Sequence, residues 1–202
     1  MRCTDTCEYC RGEKSLFTSI KRNKLITLMS NVHVQSFPPI ADVRATRLIL
    51  GSMPGAASLA ANQYYAHPHN AFWRIMGGVV NIAPDAAYDE RVCALQRARV
   101  AVWDVLRSCE RPGSLDSSIR RDSEVANDFT AFFAQHPRTN QVYFNGGAAE
   151  ASFKRHCGAL LRDPGLSFQR LPSTSPAHAA LRFEQKLAAW HSAMAPLSSG
   201  HR

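Results

Sequence analysis

The sequence predicts an α/β domain, a three-layer α/β/α sandwich around a short, mostly parallel sheet of four strands. Apolar runs of strand length alternate with segments of helical periodicity along most of the chain, which is typical of parallel sheets covered by helices on both faces. Each predicted strand also runs into a loop rich in Gly, Ser, Asn or Pro. Because parallel strands end at the same edge of a sheet, we expect these loops to form one composite site.

The first half of the chain contains two predicted strands and two predicted helices. The first strand covers 47–50 and stops at Gly51, where the apolar run ends. Helical periodicity begins at Asn70, in the position of an N-cap, and a second helix covers 88–97. The apolar run 100–106 is the second buried strand.

The second half continues the alternation. The predicted elements are a helix over 125–135, a strand over 141–145, a helix from 147 to about 160, a strand over 168–171 and a last helix over 179–194. Pro137 ends the first of these helices, because proline disfavours the helical conformation in the residue before it.

The composition excludes several classes of protein. The chain has 202 residues, 45% of them hydrophobic and 20% charged, enough to bury a core in one domain. Its apolar runs are too short to span a bilayer, and residues 1–28 lack the apolar core of a signal peptide. We therefore expect a cytoplasmic protein without a membrane segment. A formal net charge of +8 is compatible with a polyanionic partner but does not identify one.

The chain divides into three predicted segments: a disordered N-terminal extension over 1–34, one domain over 35–195 and a flexible tail over 196–202. The extension contains Cys3, Cys7 and Cys10, a spacing also found in iron–sulfur proteins. A cluster would need a fourth cysteine in place or a far larger barrel. We favour an unstructured extension, or a product of a start codon upstream of the natural one.

The most informative stretch joins the first strand to the first helix. It reads Gly51-Ser-Met-Pro-Gly55, then Tyr65, then His67-Pro-His-Asn-Ala-Phe-Trp73. The two glycines let the backbone approach a ligand closely, while proline stiffens the turn between them. The stretch lacks the Gly-Lys-Ser/Thr ending of a phosphate-binding P-loop. Its aromatic rings, amide and imidazoles instead suit a pocket that holds a flat polar ring.

This stretch resembles motif 1 of the uracil-DNA glycosylase superfamily, in which a strand ends in Gly-x-x-Pro-Gly and an aromatic residue and His-Pro-x-Asn-x-Phe-Trp follow. The segment 171–179, Leu-Pro-Ser-Thr-Ser-Pro-Ala-His-Ala, resembles motif 2, a loop that wedges into the duplex. Segments 103–109 and 113–116 are similar to the hypoxanthine-DNA (deoxyinosine) glycosylase branch, family 6. The resemblance extends from about residue 35 to residue 190 and implies a uracil-DNA glycosylase-like fold.

The resemblance also implies an activity. The expected protein is a monofunctional DNA repair glycosylase that flips a deaminated base out of the helix and hydrolyses its N-glycosidic bond, with hypoxanthine as the first expected base and uracil as a further candidate. Its partner would be single- or double-stranded DNA, and it would act as a monomer without a cofactor or metal. Two alternatives stay open: a uracil or mismatched-thymine glycosylase, and a module that binds damaged DNA without cutting it.

By the same resemblance, Tyr65 stacks on the flipped base. Asn145 ends the third predicted strand, and its carboxamide has both a donor and an acceptor for the base edge. The other base-binding positions are Ser52, Met53 and Phe72. The loop and DNA-wedge positions are Gly51, Pro54, Gly55, Ser173, Ser175, Pro176, Ala177 and His178. Ala177 is small where related branches have Leu, which predicts a weak plug.

The catalytic side chain is where this sequence departs from the superfamily. Met53 and Ser173 stand where other branches have residues that activate water or begin motif 2, and methionine cannot take a proton. Asn70 is our candidate for positioning the water, the alternative being a helix cap. Asp104 and Asp116 could each serve as a general base, or could only order loops and cap helices. Catalysis could also depend on stabilising the departing base.

Overall fold

The structure, a computed structural model, describes residues 33–195. The predictions for residues 1–32 and for the tail 196–202 fall outside these described residues. The strands are β1 (His33–Gln35), β2 (Arg47–Gly51), β3 (Val100–Asp104), β4 (Leu106–Glu110), β5 (Val125–Ala126), β6 (Gln141–Asn145) and β7 (Ser167–Leu171). The helices are α1 (Ala56–Ala61), α2 (Phe72–Val80), α3 (Tyr88–Arg97), α4 (Phe129–Gln135), α5 (Gly147–Cys157) and α6 (Phe183–Met194), with short 3-10 helices at Asp116–Ser118, Arg121–Ser123 and Gly158–Arg162.

The predicted parallel sheet of four strands is confirmed, in the order β3-β2-β6-β7 with every neighbouring pair parallel. Side chains alternate between the faces of β2, as in any strand. Ile49 packs with α2, α3 and α6, whereas Leu48 and Leu50 pack with α4 and α5 on the other face. The sheet therefore lies between two helical layers, which is the predicted α/β/α sandwich.

A second, antiparallel sheet with the order β1-β4-β5 was not predicted. The run 100–106 was expected as one strand, and that prediction was wrong. β3 ends at Asp104, the Val105 and Leu106 amides donate to the carbonyls of Gly51 and Ser52, and the chain leaves as β4. β1 also begins at His33, two residues before the predicted start of the domain.

One further helix was not predicted, and two helices begin later than predicted. Helix α1 was not predicted. Helix α4 begins at Phe129 rather than 125, because the Asp128 side chain accepts from the Ala131 amide as an N-cap while 125–126 pairs as β5. Helix α6 begins at Phe183 rather than 179.

The carboxyl ends of the parallel strands lie side by side. Gly51 pairs with Asp104 at the ends of β2 and β3, and Asn145 pairs with Leu171 at the ends of β6 and β7. The loops that follow β2 and β7 therefore start at one edge of the sheet. Between residues 33 and 195, no helix has the length and apolar character needed to cross a membrane.

Candidate active site

A cavity of about 250 Å³ opens at this edge of the sheet. It lies below the roughly 300–1,000 Å³ of pockets for drug-sized ligands, so it suits a small ring. Twelve predicted site residues line it: Gly51, Ser52, Met53, Pro54, Gly55, Tyr65, Asn70, Asn145, Ser173, Ser175, Pro176 and Ala177. Two predicted residues, Phe72 and His178, do not line it.

We call the strand-end residues Gly51, Asp104 and Asn145, together with Tyr65, the floor of the cavity. Within this floor, no residue with a Cβ fits at position 51 without displacing its neighbours. A Cβ at this position would overlap the Asp104 carboxylate oxygen Oδ1 and would lie 3.1 Å from the Tyr65 hydroxyl. The glycine at the end of β2 therefore lets a carboxyl group and a phenol approach the same point of the backbone.

Tyr65 is held by an unusual backbone conformation and by an aromatic neighbour. Its φ is +55°, in the left-handed region that few non-glycine residues adopt. Its ring stacks on Phe72, with centroids 3.9 Å apart and planes 18° apart. Phe72 covers one face of the ring, and Tyr65 also lines the cavity. Because Phe72 is fully buried, its predicted contact with the base was wrong, and it instead supports Tyr65 from below.

The Tyr65 hydroxyl is buried and has no hydrogen-bond partner in the described part of the chain. Burial raises the pKa of this hydroxyl, with the nearby Asp104 charge adding to the effect, so it stays protonated at physiological pH. An unsatisfied buried hydroxyl is unfavourable, by about 1–3 kcal/mol. A bound molecule could provide the missing partner.

Asn70 lines the cavity and also orders the start of helix α2. Its Oδ1 accepts a hydrogen bond from the Phe72 backbone amide at 3.0 Å, although the N-cap position is Ala71, one residue after the predicted cap. This bond fixes the carboxamide plane. Its Nδ2 forms no hydrogen bond with residues 33–195 and stays available as a donor.

Asn145 is engaged by Thr174, a buried residue that the sequence did not single out. The Asn145 Nδ2 donates to Thr174 Oγ1 at 2.9 Å, and its Oδ1 accepts from the Thr174 amide at 2.8 Å. The Thr174 carbonyl accepts in turn from the Ala71 amide at 2.9 Å. Thr174 therefore ties β6, the loop after β7 and the start of α2 together.

Asp104 is the buried carboxyl group of the cavity, only 3% exposed at the end of β3. Its Oδ2 accepts from the Ser36 hydroxyl at 2.9 Å, and none of the ion pairs within residues 33–195 includes it. Burial raises the pKa of Asp104 to about 7, and the charge of Asp116 adds to this, while Ser36 and Arg111 oppose it. The sequence offered Asp104 as a possible general base or loop-ordering residue, but its place at a buried strand end was not predicted, because 100–106 was expected as one unbroken strand.

Arg111 is fully buried behind the loop after β2. Its Nη2 donates to the Pro54 carbonyl and its Nε to the Gly113 carbonyl, which joins the motif 1 loop to the loop 113–118. Its Nη1 has no partner among the described residues. No feature of the sequence marked this arginine as buried.

The loop after β7 is supported by helix α6. Trp190 Nε1 donates to the Pro172 carbonyl at 2.9 Å, and the buried Lys186 donates to the His178 carbonyl at 2.7 Å. Burial lowers the pKa of Lys186. Ala177 and the His178 side chain are exposed at the rim, outside the floor of the cavity.

His67 lines the cavity, and the centroids of the His67 and His69 rings are 5.6 Å apart. Within the described range 33–195, no group of three His, Cys, Asp or Glu side chains is arranged to hold a metal ion.

Residues 38–194 match the family model described as the uracil DNA glycosylase superfamily. The chain belongs to the uracil DNA glycosylase superfamily. This membership implies DNA as the substrate and accounts for the position of the cavity between the two motifs.

Individual members of the superfamily resemble the chain along most of its domain. A hypoxanthine DNA glycosylase of Methanosarcina barkeri is 39% identical over 113 residues, which cover 55% of this chain and 70% of the relative. A hypoxanthine DNA glycosylase of Methanosarcina acetivorans is 36% identical over 145 residues, covering 71% and 87%. A solution NMR structure from Methanosarcina acetivorans, provisionally described as a uracil DNA glycosylase, superimposes with a TM-score of 0.65 at 32% identity and covers 80% of this chain and 98% of that one.

Proposed function

We propose that the protein is a monofunctional DNA glycosylase that hydrolyses the N-glycosidic bond of deoxyinosine in DNA and releases hypoxanthine, with uracil as its second substrate. The relatives named hypoxanthine DNA glycosylase, 39% and 36% identical, support hypoxanthine as the first base. The observation that carries the proposal is that the loops after β2 and β7 line the same cavity. One chain supplies both loops, so we propose that it acts as a monomer. We also propose that it acts in the cytoplasm.

A base inside a duplex cannot reach a cavity at the edge of the sheet. The nucleotide must rotate out of the stack, which costs a few kcal/mol and less in a mismatch or a single strand. The open face of Tyr65 would stack on the ring, with Phe72 fixing the tyrosine from behind. Stacking holds the base without depending on the neighbouring sequence.

Cleavage of the bond leaves positive charge on the sugar and negative charge on the departing base, so it is assisted by an oriented water and by donors to that base. Met53 supplies neither, because its side chain packs with Leu106 and Cys109 in a small apolar cluster. We assign the water to Asn70. Its Oδ1 is fixed by the Phe72 amide, and its Nδ2 can donate to the oxygen of the water.

The rim of the cavity would contact the DNA on either side of the flipped nucleotide. Ser173, Ser175, Pro176 and Ala177 form one wall of this rim and His178 continues it outward, where it can reach the backbone. The formal charge of +8 favours binding to a polyanion.

The test is base release from oligonucleotides that carry one deoxyinosine or one deoxyuridine, compared for the wild type, Asn70→Ala and Asn81→Ala. Asn81 is the matched control because it ends the same helix, in the left-handed conformation, away from the cavity. We expect alkali-labile sites at deoxyinosine with the wild type and Asn81→Ala, and a loss of at least about 100-fold with Asn70→Ala, the scale of one positioning or acid–base group.

Two results would contradict this assignment. Release that survives Asn70→Ala would keep the enzyme and leave Asn70 only its hydrogen bond to the start of helix α2. Tight binding to the lesion without release of either base would favour the alternative function, a module that recognises damage without cutting.

A further inference from the structure

The polar groups at the floor of the cavity differ in how much hydrogen-bonding capacity they have left. Asn145, the predicted reader of the base edge, gives one N–H to Thr174 Oγ1 and accepts one bond from the Thr174 amide, which fixes its carboxamide plane and leaves one N–H and one lone pair. Met53 is apolar, and Phe72 is buried out of reach. Asp104 also lines the cavity, and one of its oxygens receives no hydrogen bond from residues 33–195.

The two oxygens of the Asp104 carboxyl group have different surroundings. Oδ2 accepts from the Ser36 hydroxyl, whereas Oδ1 lies against the Gly51 backbone and receives no hydrogen bond from residues 33–195. The Tyr65 hydroxyl, also unpartnered, approaches the same glycine. Two polar atoms therefore converge on one spot of the floor without a protein partner, although buried polar groups are nearly always paired. A ligand edge with both a donor and an acceptor would satisfy this spot.

The charges around Asp104 favour its neutral form. It forms no ion pair within the described domain, and the nearby Asp116 repels a second negative charge. Arg111 acts in the opposite direction, but its guanidinium hydrogen-bonds carbonyls rather than Asp104. Tyr64 and Tyr65 are neutral, because burial raises the pKa of both hydroxyls. Burial and Asp116 together hold the pKa of Asp104 near 7, so its neutral form is well populated at physiological pH.

We propose that Asp104 reads the edge of the flipped base as a neutral carboxylic acid. Its Oδ1–H would donate to the ring carbonyl, while Oδ2 would keep the Ser36 hydrogen bond and accept from the adjacent ring N–H with its second lone pair. The proposal rests on the proposed function, since it specifies how that cavity recognises a deaminated base. A neutral carboxyl group offers one donor and one acceptor side by side, as a carboxamide does. That pair matches the N–H and C=O that deamination creates in both hypoxanthine and uracil.

The neutral form also fits the direction in which charge moves during cleavage. Electrons from the glycosidic bond pass to the base, and its carbonyl oxygen becomes more negative, so the O–H bond from Asp104 strengthens in the transition state. The proton stays on the carboxyl group throughout. An ionised Asp104 would repel the departing base, and a carboxylic acid kept neutral by its surroundings is an established way to stabilise such an anion.

The test is a pH profile of single-turnover release from deoxyinosine for the wild type, Asp104→Asn, Asp104→Ala and Asp116→Asn. Because a group of pKa about 7 is about 90% neutral at pH 6 and about 10% neutral at pH 8, we expect the wild-type rate to fall about tenfold between them. Asp104→Asn keeps a donor and an acceptor, so it should remain active with a flat profile, whereas Asp104→Ala should lose at least about tenfold, the equivalent of one hydrogen bond to the transition state. Asp116→Asn is the matched control and should move the fall to lower pH without removing it.

Two results would overturn the proposal. A wild-type rate that rises through pH 7, with Asp104→Asn inactive but folded, would make Asp104 a general base that acts ionised. Wild-type behaviour of Asp104→Ala would show that the carboxyl group does not meet the base.

Binding to a duplex that carries 2′-fluoro-deoxyinosine, whose glycosidic bond resists cleavage, separates this proposal from the proposed function. Affinity that falls above pH 7 in the wild type but not in Asp104→Asn would support base reading even if no base were released. Failure of the glycosylase activity alone would then leave the inference standing.

Discussion

The floor and the rim of the cavity are built in different ways. The floor is formed by strand ends and by Tyr65; it is buried, tightly packed around Gly51, and contains polar atoms without protein partners. The rim consists of the loops 113–118 and 173–178, which are largely exposed and form their own internal hydrogen bonds, such as Ser175 Oγ with the Ala177 amide at 3.2 Å. Under the proposed function, the tightly packed floor would select the base, while the rim would meet DNA of any sequence.

The largest effect should come from filling the floor with Gly51→Ala. The added methyl group would overlap the Asp104 carboxyl and crowd the Tyr65 hydroxyl, so both must move. Overpacking of this kind destabilises by about 1–3 kcal/mol. A displacement of about 1 Å at reacting groups can lower the rate about 100-fold. We expect kcat/KM on deoxyinosine to fall by about that factor in a protein that still folds, as judged by urea unfolding.

Gly158→Ala is the control for this substitution. Gly158 follows helix α5, and a Cβ there meets no atom within 4 Å. It should change neither the rate nor the unfolding midpoint appreciably. If Gly51→Ala left the rate unchanged, the floor would tolerate an added methyl group, and its description as tightly packed would not hold.

A smaller effect should follow when the hydrogen bond between Thr174, in the loop after β7, and Asn145, at the end of β6, is removed. Thr174→Val keeps the shape but removes the hydroxyl, so the Asn145 Nδ2 loses its partner while the backbone bond to Asn145 Oδ1 remains. A buried group left unsatisfied costs about 1–3 kcal/mol, which thermal unfolding would detect. We expect about a tenfold loss of rate as the loop after β7 loosens. Thr174→Ser restores the hydroxyl and should recover both quantities; a Ser variant as impaired as Val would assign the effect to packing.

The sequence predicted the parts of this architecture that depend on periodicity. The strands β2, β6 and β7 and the helices α2 and α3 lie within about one or two residues of their expected bounds, because their apolar patterns are strong. The superfamily motifs likewise identified most of the lining residues. The sheet β1-β4-β5 was missed because its strands have two to five residues and lie partly exposed, so no clear alternation marks them.

The floor could not be derived from the sequence, for a physical reason. Burial, pairing and unused hydrogen-bonding capacity are properties of the folded environment. Asp104 and Arg111 look like ordinary charged residues until the packing shows that both are buried. Asn145 and Phe72 have the right residue types for base recognition, but Thr174 fixes the carboxamide of Asn145 and Tyr65 covers the ring of Phe72. A motif places residues at a site without showing which of their atoms remain free.

The smallest predicted effect belongs to the rim and separates duplex from single-stranded substrate. Leu115 is 57% exposed and lines the same cavity as the small Ala177, which we predict to be a weak plug. An apolar side chain here can fill the gap that a flipped base leaves in the duplex, a gap that single-stranded DNA does not have. Leu115→Ala should therefore slow release from duplex deoxyinosine about fivefold, equivalent to about 1 kcal/mol of lost apolar contact.

Release from the single strand provides the internal reference for this prediction, since Leu115→Ala should leave it unchanged. Val43→Ala is the matched control, because Val43 is 71% exposed, is also apolar and does not line the cavity. It should affect neither substrate. Equal losses on single-stranded and duplex DNA would mean that Leu115 shapes the cavity itself. The loop 113–118 would then belong with the residues that contact the base rather than with those that contact the duplex.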